Sequence, residues 1–600
     1  MVQTVSEKTD TTLPQWQLSD LYESISDPKI EQDLQTAQKL ATTFSQTYKG
    51  QLNSLDALAL KNAYQTLESL LTPLYKISQF ISLTFATDTS NEAVKALMAK
   101  VDEVQTDISN IVLFFELEIS QFSQQKAQSL LEDPNLEPYT YDIKRTIETA
   151  SFNLTEKEEQ VINKKDLTGT DGWTQYYEEL TSDFEFEFEL DGKKQIMNGS
   201  QLRDLRQHPD ATVRRQAMAL FLSRYETHQL TFTHIYNNVI KDYNIEKQLR
   251  GYSSAISRRN IGNDLPDNVV QTLHDVTTSS YPLVHRYYKL KKKLQNMPDM
   301  TLADIYAPLP ESARVYSFDE AKQIVLDGFY AFDTDFGDKA KMMFDEQRID
   351  APVSAKKRGG AFCSGSTPDV KPYVLLNFLG KQRDVSTMAH ELGHAIHDLY
   401  AAKQVLSNYH PILPLAETAS VFSEMLITDK LKSEETDKKS LIALLTDKIE
   451  DIFATSHRQN MFSQFEIATH DKISKSIMSA TALCDTYEAG LKQMFGDSVA
   501  IPAEYRWEWA TIPHIYEYPF YVYAYNFGNL LVMALYQQYK RVGAEMIPKI
   551  KQVLSAGSCM SPLKITQLID VDIADPHFWQ QSIDYIETLL TELEGLVVDQ

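Results

Sequence analysis

Apolar residues recur every three or four positions along most of the chain, which is the spacing of one face of an α-helix. The longest such stripe extends over residues 94–115, and a shorter one precedes Pro73. The apolar positions of the long stripe are Val94, Leu97, Val101, Val104, Ile108, Ile111 and Phe115. This pattern predicts helices that pack on one another and a mainly α fold. A free coiled coil is the alternative, although the heptad pattern stops after about three repeats.

Two segments depart from the helical spacing and predict short strands. Residues 184–189 alternate Phe with Glu, and Asp191-Gly192 follow closely, which is typical of a hairpin with one buried face and one wet face. The second segment extends over residues 362–378 and is richest in apolar residues at 373–376. It leads directly into a helical segment, so we expect a small β element beside that helix.

Composition and charge narrow the class of protein. The 600 residues are 43% apolar, a fraction typical of globular chains with a large core, and this excludes a disordered or collagen-like chain. Lys and Arg number 58 against 83 Asp and Glu, which gives a formal net charge of −25. Binding to nucleic acid needs a clustered basic surface, and the sequence shows none, so we expect no nucleic-acid partner.

Cysteine usage and hydropathy bear on the cellular compartment. Cys363, Cys484 and Cys559 lie far apart without a CxxC pairing, which fits a reducing environment. Residues 1–12 are polar and show no secretory signal. The longest apolar stretch, residues 521–536, is interrupted by polar residues and is too short to cross a bilayer comfortably. We therefore expect a cytoplasmic protein with no membrane partner.

The segment with the most specific chemistry is His390-Glu391-Leu392-Gly393-His394, an HExxH pattern. On an α-helix, residues four apart lie about one turn from each other on the same face, so the two imidazoles can bind one zinc ion. Glu391 lies beside the first ligand without occupying a coordination position, which is where a general base for the attacking water is needed. The pattern also arises by chance, so the surrounding sequence decides whether it marks a zinc site.

A catalytic zinc site has three protein ligands and one open position. A third His six residues after His394 would indicate a metzincin, but that position holds Tyr400. Downstream, Glu417 and Glu424 lie seven residues apart on one face of a helix-compatible segment. Glu417 is the ligand candidate, with a surface carboxylate as the alternative. Glu424 is the candidate for orienting a ligand histidine through its other ring nitrogen.

These residues resemble a known family. HELGHAIH at 390–397 and LAETAS at 415–420 are similar to the zinc site of oligoendopeptidase F and its relatives in the thimet oligopeptidase superfamily. Further similar segments, in the order of that family, are RGYSSA at 250–255, GGAFC at 359–363, PYVLLNF at 372–378, IPH at 512–514 and FYVYAY at 520–525. The resemblance covers most of the chain from about residue 180 onward.

The resemblance implies a mainly α-helical, two-lobed body that encloses a deep substrate groove, with the HExxH helix on its floor and a small β element beside that helix. Residues 1–180 would form an amino-terminal helical lobe. Residues 181–600 would form the zinc peptidase catalytic domain. In that domain one Zn²⁺ per chain would be held by the family's two histidines and one glutamate.

Residue by residue, the resemblance assigns the zinc ligands to His390, His394 and Glu417 and the catalytic glutamate to Glu391. It thereby implies a zinc-dependent endopeptidase that hydrolyses internal bonds of short peptides. A metallo-exopeptidase with the same zinc chemistry is the nearest alternative. A non-enzymatic helical scaffold, in which HExxH is coincidental, is a third possibility and would hold no stoichiometric zinc.

Residues 514–525 offer hydrogen-bond donors for the oxyanion that forms when a peptide bond is attacked. The resemblance favours His514 and a Tyr-x-Tyr pair at Tyr521 and Tyr523. We expect His514 and Tyr523 to be catalytic residues and Tyr516 and Tyr521 to be substrate-binding residues. Packing of an amphipathic helix is the alternative explanation for aromatic residues at this density.

If this segment is one helix, its aromatic residues divide between two faces. One face would hold Tyr516, Phe520 and Tyr523, and the other would hold Tyr518, Tyr521 and Tyr525.

The glycine pair Gly359-Gly360 allows the main chain to approach a substrate closely. Residues 361–365 would then pair with an extended peptide as an added strand. Gly360 and Phe362 are therefore substrate-binding candidates, with an ordinary turn as the alternative.

Overall fold

The computed structural model describes residues 13–309 and 314–598, and it is 72% helical. The polar segment 1–12, where the sequence shows no secretory signal, lies outside the described residues. Within the described part of the chain, no helix is both long enough and apolar enough to cross a bilayer. The mainly α fold predicted from the hydrophobic pattern is confirmed.

The α-helices are numbered here in chain order. The first thirteen are α1 (Pro28–Tyr48), α2 (Ala57–Thr87), α3 (Glu92–Val112), α4 (Phe114–Ser120), α5 (Gln124–Leu131), α6 (Thr140–Glu148), α7 (Glu156–Asp166), α8 (Thr170–Ser182), α9 (Gly199–Asp204), α10 (Ala211–Thr227), α11 (Gln229–Arg250), α12 (Ala255–Gly262) and α13 (Asp267–Ser279). The next seven are α14 (Tyr281–Leu294), α15 (Phe318–Phe332), α16 (Thr334–Asp345), α17 (Gln382–Ala401), α18 (Thr418–Glu434), α19 (Lys438–Ile452) and α20 (Arg458–Lys475). The last six are α21 (Ala480–Phe495), α22 (His514–Glu517), α23 (Tyr523–Val542), α24 (Ile547–Ser555), α25 (Pro562–Gln567) and α26 (Pro576–Val598).

The apolar stripes form the buried faces of amino-terminal helices. In α3, the residues of the stripe that are fully buried are Val94, Val101 and Ile108, one every seven positions. The spacing predicts one helix through Phe115, but α3 ends at Val112 and Phe115 lies in α4. The other stripe lies in α2, which continues through Pro73. Pro costs a helix about 3 kcal/mol, and the buried apolar residues on both sides of it offset that cost.

The predicted hairpin is confirmed. Strands β1 (Glu185–Leu190) and β2 (Lys193–Asn198) pair antiparallel. Buried and exposed positions alternate along β1, with the phenylalanines buried and the glutamates exposed. The turn residues Asp191 and Gly192 both have positive φ, 53° and 74°, which suits a two-residue hairpin turn.

A second small sheet contains strands β3 (Ile349–Asp350), β4 (Phe362–Ser364) and β5 (Tyr373–Leu375), in the order β3-β5-β4. Strand β5 pairs parallel with β3 and antiparallel with β4. Both β4 and β5 contact α17, the helix that carries the HExxH pattern. The expected β element beside this helix is therefore present, as two strands joined by a loop.

Two compact units can be distinguished, and each is built from three stretches of the chain. Unit 1 takes the described residues of Met1–Ala150, Ala313–Glu434 and Gln538–Asp570, and unit 2 takes those of Ser151–Ser312, Glu435–Gln537 and Val571–Gln600. In unit 1, the core formed by α1 to α6 continues into the small sheet through Val370, Tyr373 and Leu375. The expected division into residues 1–180 and 181–600 follows chain order and stays a prediction.

Candidate metal centre and active site

Helices α17 and α18 build the candidate metal centre in unit 1. The HExxH segment lies in the middle of α17, and its histidines are one turn apart on the same face. Glu417 directly precedes α18, and its carbonyl oxygen accepts a hydrogen bond from Val421 N–H at 3.1 Å. Glu424 lies two turns further along α18.

A glycine allows the two helices to come this close. A Cβ atom built on Gly393 would lie 2.6 Å from both the carbonyl oxygen of Ala419 and the Cα atom of Ser420. Real Cβ atoms do not make non-bonded contacts of that length, so any side chain here would push the first turn of α18 away from α17. Gly393 therefore sets the separation that brings Glu417 to the histidines.

Three side chains converge to form a group that can hold a metal ion, and they are His390, His394 and Glu417. The two Nε2 atoms are 3.2 Å apart. Glu417 Oε2 lies 3.5 Å from Nε2 of His390 and 3.4 Å from Nε2 of His394. These three atoms form a nearly equilateral triangle.

Two further hydrogen bonds fix the orientation of this group. Nδ1–H of His390 donates to Glu424 Oε1 at 2.5 Å, so Nε2 is the ring nitrogen that faces the triangle and can offer a lone pair to a metal ion. The hydroxyl of Ser420 donates to Glu417 Oε2 at 2.6 Å. Both the first histidine and the carboxylate are thus held by a partner on α18.

The electrostatics of the group suit a cation, because three carboxylates surround the two imidazoles. Burial opposes protonation of His390, but the hydrogen bond to Glu424 and the nearby carboxylates outweigh it and raise its pKa to about 9. Burial lowers the pKa of His394 to about 4. Glu391 is 6% exposed, and burial raises its pKa to about 7, although the N–H of Cys363 donates to it.

Comparison with known sequences identifies the family. The profile described as Peptidase family M3 matches residues 205–585, well over half of the chain. The chain belongs to peptidase family M3. A second profile, described as Oligopeptidase F, matches residues 118–186.

Curated relatives of this M3 chain are oligopeptidases. Oligopeptidase PepF of Bacillus subtilis is 27% identical over 97% of this chain and 87% of its own length. The chromosomal oligoendopeptidase F of Lactococcus lactis subsp. cremoris is 30% identical over 69% of each chain. The family resemblance inferred from the motifs is confirmed, and the M3 chain is a peptidase.

The fold is shared with a solved structure. The crystal structure of oligoendopeptidase-F from Enterococcus faecium superposes with a TM-score of 0.71 and covers 95% of this chain and 98% of that one. Sequence identity between the two is 24%, so this comparison bears on the fold alone.

The substrate-binding candidates Gly360 and Phe362 also lie in unit 1 of the M3 chain. Gly360 has a φ of +79° in the turn before β4, and its carbonyl oxygen accepts a hydrogen bond from Asn377 Nδ2 at 2.7 Å. Among the described strands, β4 pairs with β5 alone, which makes it an edge strand. The ring of Phe362 packs on the core of α1 to α6, and its predicted role in substrate binding stays a prediction.

In unit 2, His514 and two tyrosines of the 514–525 segment form an aromatic cluster. The ring of Tyr521 stacks on that of His514 with centroids 5.8 Å apart, and the ring of Tyr525 contacts both edge-on. All three side chains are half-buried. Burial lowers the pKa of His514, so its imidazole is neutral at pH 7 and retains one N–H donor.

Two of the predicted tyrosines are placed differently. Tyr516 and Tyr523 are fully buried. The hydroxyl of Tyr523 accepts a hydrogen bond from Asn263 Nδ2 at 2.8 Å, and the ring of Tyr516 stacks on Tyr177. Their predicted contacts with substrate stay predictions, and this burial does not favour them.

The expected single helix over the tyrosine segment is wrong, because the chain turns between α22 and α23. Phe520 has a φ of +59° there, a conformation that no helix contains. The division between the two faces nevertheless holds. The buried residues are Tyr516, Phe520 and Tyr523, and the accessible ones are Tyr518, Tyr521 and Tyr525.

Some residues that shape the site were missed by sequence reasoning. Gly393 stands inside the HExxH pattern, and glycine in a helix interior is itself a signal of close packing. Ser420 and Gln79 carry no such signal. Gln79, in α2, donates to the carbonyl oxygen of Ser364 in β4 at 2.8 Å, across 285 residues of sequence.

Proposed function

We propose that this M3 peptidase is a zinc-dependent endopeptidase that cleaves internal bonds of short oligopeptides. The observation that carries the proposal is the triangle of Nε2 of His390, Nε2 of His394 and Oε2 of Glu417, with Glu391 adjacent in sequence to the first histidine.

The donor set and its dimensions fit zinc. Ligands that lie 2.0–2.1 Å from Zn²⁺ at tetrahedral angles are separated from one another by about 3.3–3.4 Å. The three separations in this protein are 3.2, 3.4 and 3.5 Å. Two imidazoles and one carboxylate are also a usual protein set for a catalytic zinc, which needs a fourth position free.

A bound Zn²⁺ would supply Lewis-acid activation of water and of the scissile carbonyl. Glu391 takes the proton from the attacking water and passes it to the nitrogen of the departing amine, as a general base and then a general acid. Its burial keeps bulk water from competing for that proton. Glu424 keeps Nδ1 of His390 protonated throughout, so Nε2 stays the nitrogen available to the metal ion.

Other residues of this chain would bind the peptide and stabilise the charge. The N–H of Cys363 points to Glu391, so the outer edge of β4 runs past the general base. An extended peptide added to this edge would be held through its main chain. His514 and Tyr521 would donate hydrogen bonds to the oxyanion. Short peptides as partners, the enclosing groove and a cytoplasmic location are part of the same proposal.

The substitution Glu391→Gln tests the general base. It keeps the size of the side chain and removes its basicity, so we expect bound zinc to remain at one per chain while kcat falls by about 10²–10⁴-fold. Zinc is measured by elemental mass spectrometry and turnover with an internally quenched peptide. Glu434→Gln, an exposed residue of α18, is the matched control and should change neither.

Retention of turnover in Glu391→Gln, or a wild-type protein with no stoichiometric zinc under zinc-replete conditions, would contradict the proposal. Peptides blocked at both ends separate the endopeptidase from a metallo-exopeptidase. Mass spectrometry of the products should show internal cuts in blocked peptides, whereas an exopeptidase would leave them intact.

A further inference from the structure

The turn that presents Tyr521 is strained. In the sequence Tyr518-Pro519-Phe520-Tyr521, the N–H of Tyr521 donates to the carbonyl oxygen of Tyr518 at 3.0 Å, which closes a β-turn. Phe520 occupies the third position with a φ of +59°. A turn with proline second and a positive φ third normally has glycine or asparagine there. A phenylalanine holds this conformation only when its surroundings enforce it.

Glu466 of α20 supplies one of these constraints. Its Oε1 accepts a hydrogen bond from the N–H of Phe520 at 2.7 Å, and both groups are buried. Without this acceptor, the N–H would be a buried donor with no partner, because the turn itself bonds only the N–H of Tyr521. The other oxygen, Oε2, has no hydrogen-bond partner, so the N–H of Phe520 is the group that Glu466 binds by a hydrogen bond.

Neighbouring contacts hold the residues on either side. Arg259 of α12 donates from Nε to the carbonyl oxygen of Pro519 at 3.2 Å. Asn263, the residue directly after α12, donates to the hydroxyl of Tyr523. The ring of Phe520 is buried against the ring of His470, with centroids 4.4 Å apart.

The direction of Tyr521 follows from this arrangement. With Phe520 turned inward and fixed at its N–H, the next residue is turned outward, where its ring stacks on His514. We propose that Glu466 is a positioning residue that holds the strained turn at Phe520 and thereby fixes the ring of Tyr521 against His514. Its expected effect on kcat rests on the proposed role of His514 and Tyr521 in peptide hydrolysis.

Glutamine is a faithful substitute for Glu466. Burial raises the pKa of Glu466 to about 8, so at pH 7 the carboxyl group is mostly neutral, as an amide is. The amide oxygen of glutamine can accept the Phe520 N–H in the same place. Leucine fills a similar volume but offers no acceptor.

The experiment compares Glu466→Leu with Glu466→Gln by kcat, KM and zinc content on the quenched peptide. Groups that act on the transition state alone change kcat without KM. We expect Glu466→Leu to lower kcat by about tenfold or more, with KM within about twofold and zinc unchanged. Glu466→Gln should stay within about twofold of the wild type. Full kcat in Glu466→Leu, or an equal loss in Glu466→Gln, would overturn the proposal.

A double-mutant cycle with Tyr521→Phe separates positioning from a general structural role. If Glu466 acts through Tyr521, adding Glu466→Leu to Tyr521→Phe should lower kcat much less than it does alone. Independent, multiplicative losses would overturn the proposal. If Tyr521→Phe by itself leaves kcat unchanged while Glu391→Gln abolishes turnover, the hydrolytic function stands and the positioning proposal fails.

A second variant covers the case in which Glu466→Leu does not fold. Arg259→Met removes the hydrogen bond to Pro519 while it keeps the aliphatic stem of a half-buried residue. It should reproduce the loss of kcat at constant KM and zinc content, coupled to Tyr521→Phe. Unchanged kcat in Arg259→Met would count against the proposal.

Discussion

At His390, two glutamates act on opposite ring nitrogens. Glu424 accepts a hydrogen bond from Nδ1–H, and Glu417 faces Nε2 together with His394. The two carboxylates lie on one face of the same helical segment, so spacing makes both of them ligand candidates. Only the position of the start of α18 relative to α17 assigns the metal to one and the imidazole to the other.

Substitution of these glutamates by alanine should separate the two roles. Glu417→Ala removes a ligand and should abolish stoichiometric zinc binding. Glu424→Ala removes a partner of the ligand and should weaken zinc binding by about 10–100-fold. Competition with a chromogenic chelator measures both, and Glu434→Ala on the exposed side of α18 is the control. A greater loss in Glu424→Ala than in Glu417→Ala would reverse the assignment.

Sequence could predict the two histidines and Glu391 because a helix repeats at a known angle. It could not assign the tyrosines. Helical spacing predicted which tyrosines share a face. The strained turn at Phe520 decides which of the two faces is accessible. A positive φ at a phenylalanine cannot be inferred from the sequence, because this residue type rarely adopts it.

At the scale of elements, the site depends on the contact between α17 and α18. Ala419 and Ser420, in the first turn of α18, lie directly against Gly393. The ligands come from both helices, so a small increase in their separation would open the triangle of donor atoms.

Gly393→Ala should therefore impair the metal centre without touching a ligand. The added methyl group overlaps main-chain atoms, and overpacking of this kind costs about 1–3 kcal/mol of stability. We expect a lower Tm and a zinc affinity reduced at least tenfold, measured by chelator competition. Gly595→Ala in α26, where a Cβ meets nothing within 4 Å, is the control and should be neutral or stabilising. Wild-type zinc affinity in Gly393→Ala would contradict this role of the glycine.

The elements themselves were largely predictable from local pattern. The stripe in α3, the hairpin of β1 and β2, and the β element before α17 all follow from periodicity and turn residues. The continuation of α2 through Pro73 does not, because it depends on tertiary packing that local propensity does not contain.

At the scale of the whole molecule, residues from distant parts of the chain meet at strand β4. Gln79 donates to the carbonyl oxygen of Ser364 and accepts a hydrogen bond from the hydroxyl of Ser366 at 2.7 Å. It is 4% exposed, so both bonds are shielded from water. An amino-terminal helix thus fixes the strand on which the proposed substrate would pair.

Gln79→Ala should weaken substrate binding rather than chemistry. Loss of a buried hydrogen-bond partner costs about 1–3 kcal/mol of stability. In Gln79→Ala the group that loses its partner is the carbonyl oxygen of Ser364, so the destabilised element is β4. We expect KM to rise several-fold, zinc content to stay constant, and amide hydrogen exchange to increase in residues 361–366. Gln65→Ala, an exposed position of the same helix, should leave all three unchanged. An unaltered KM in Gln79→Ala would show that this contact does not serve substrate binding.

Such long-range contacts were beyond prediction from the sequence. Periodicity shows which face of a helix is buried but not which partner buries it. The clustering of residues 13–150 with α17 and α18 therefore emerges only in three dimensions.

The interleaved construction of the two units also limits how this protein can be divided or recombined. Each unit is built from three separate stretches of the polypeptide, so no uninterrupted gene fragment encodes either one. A chimaera of two relatives made with a single crossover between residues 151 and 570 would mix parental cores inside both units at once. Exchanging one unit intact would require a crossover at each of its internal junctions.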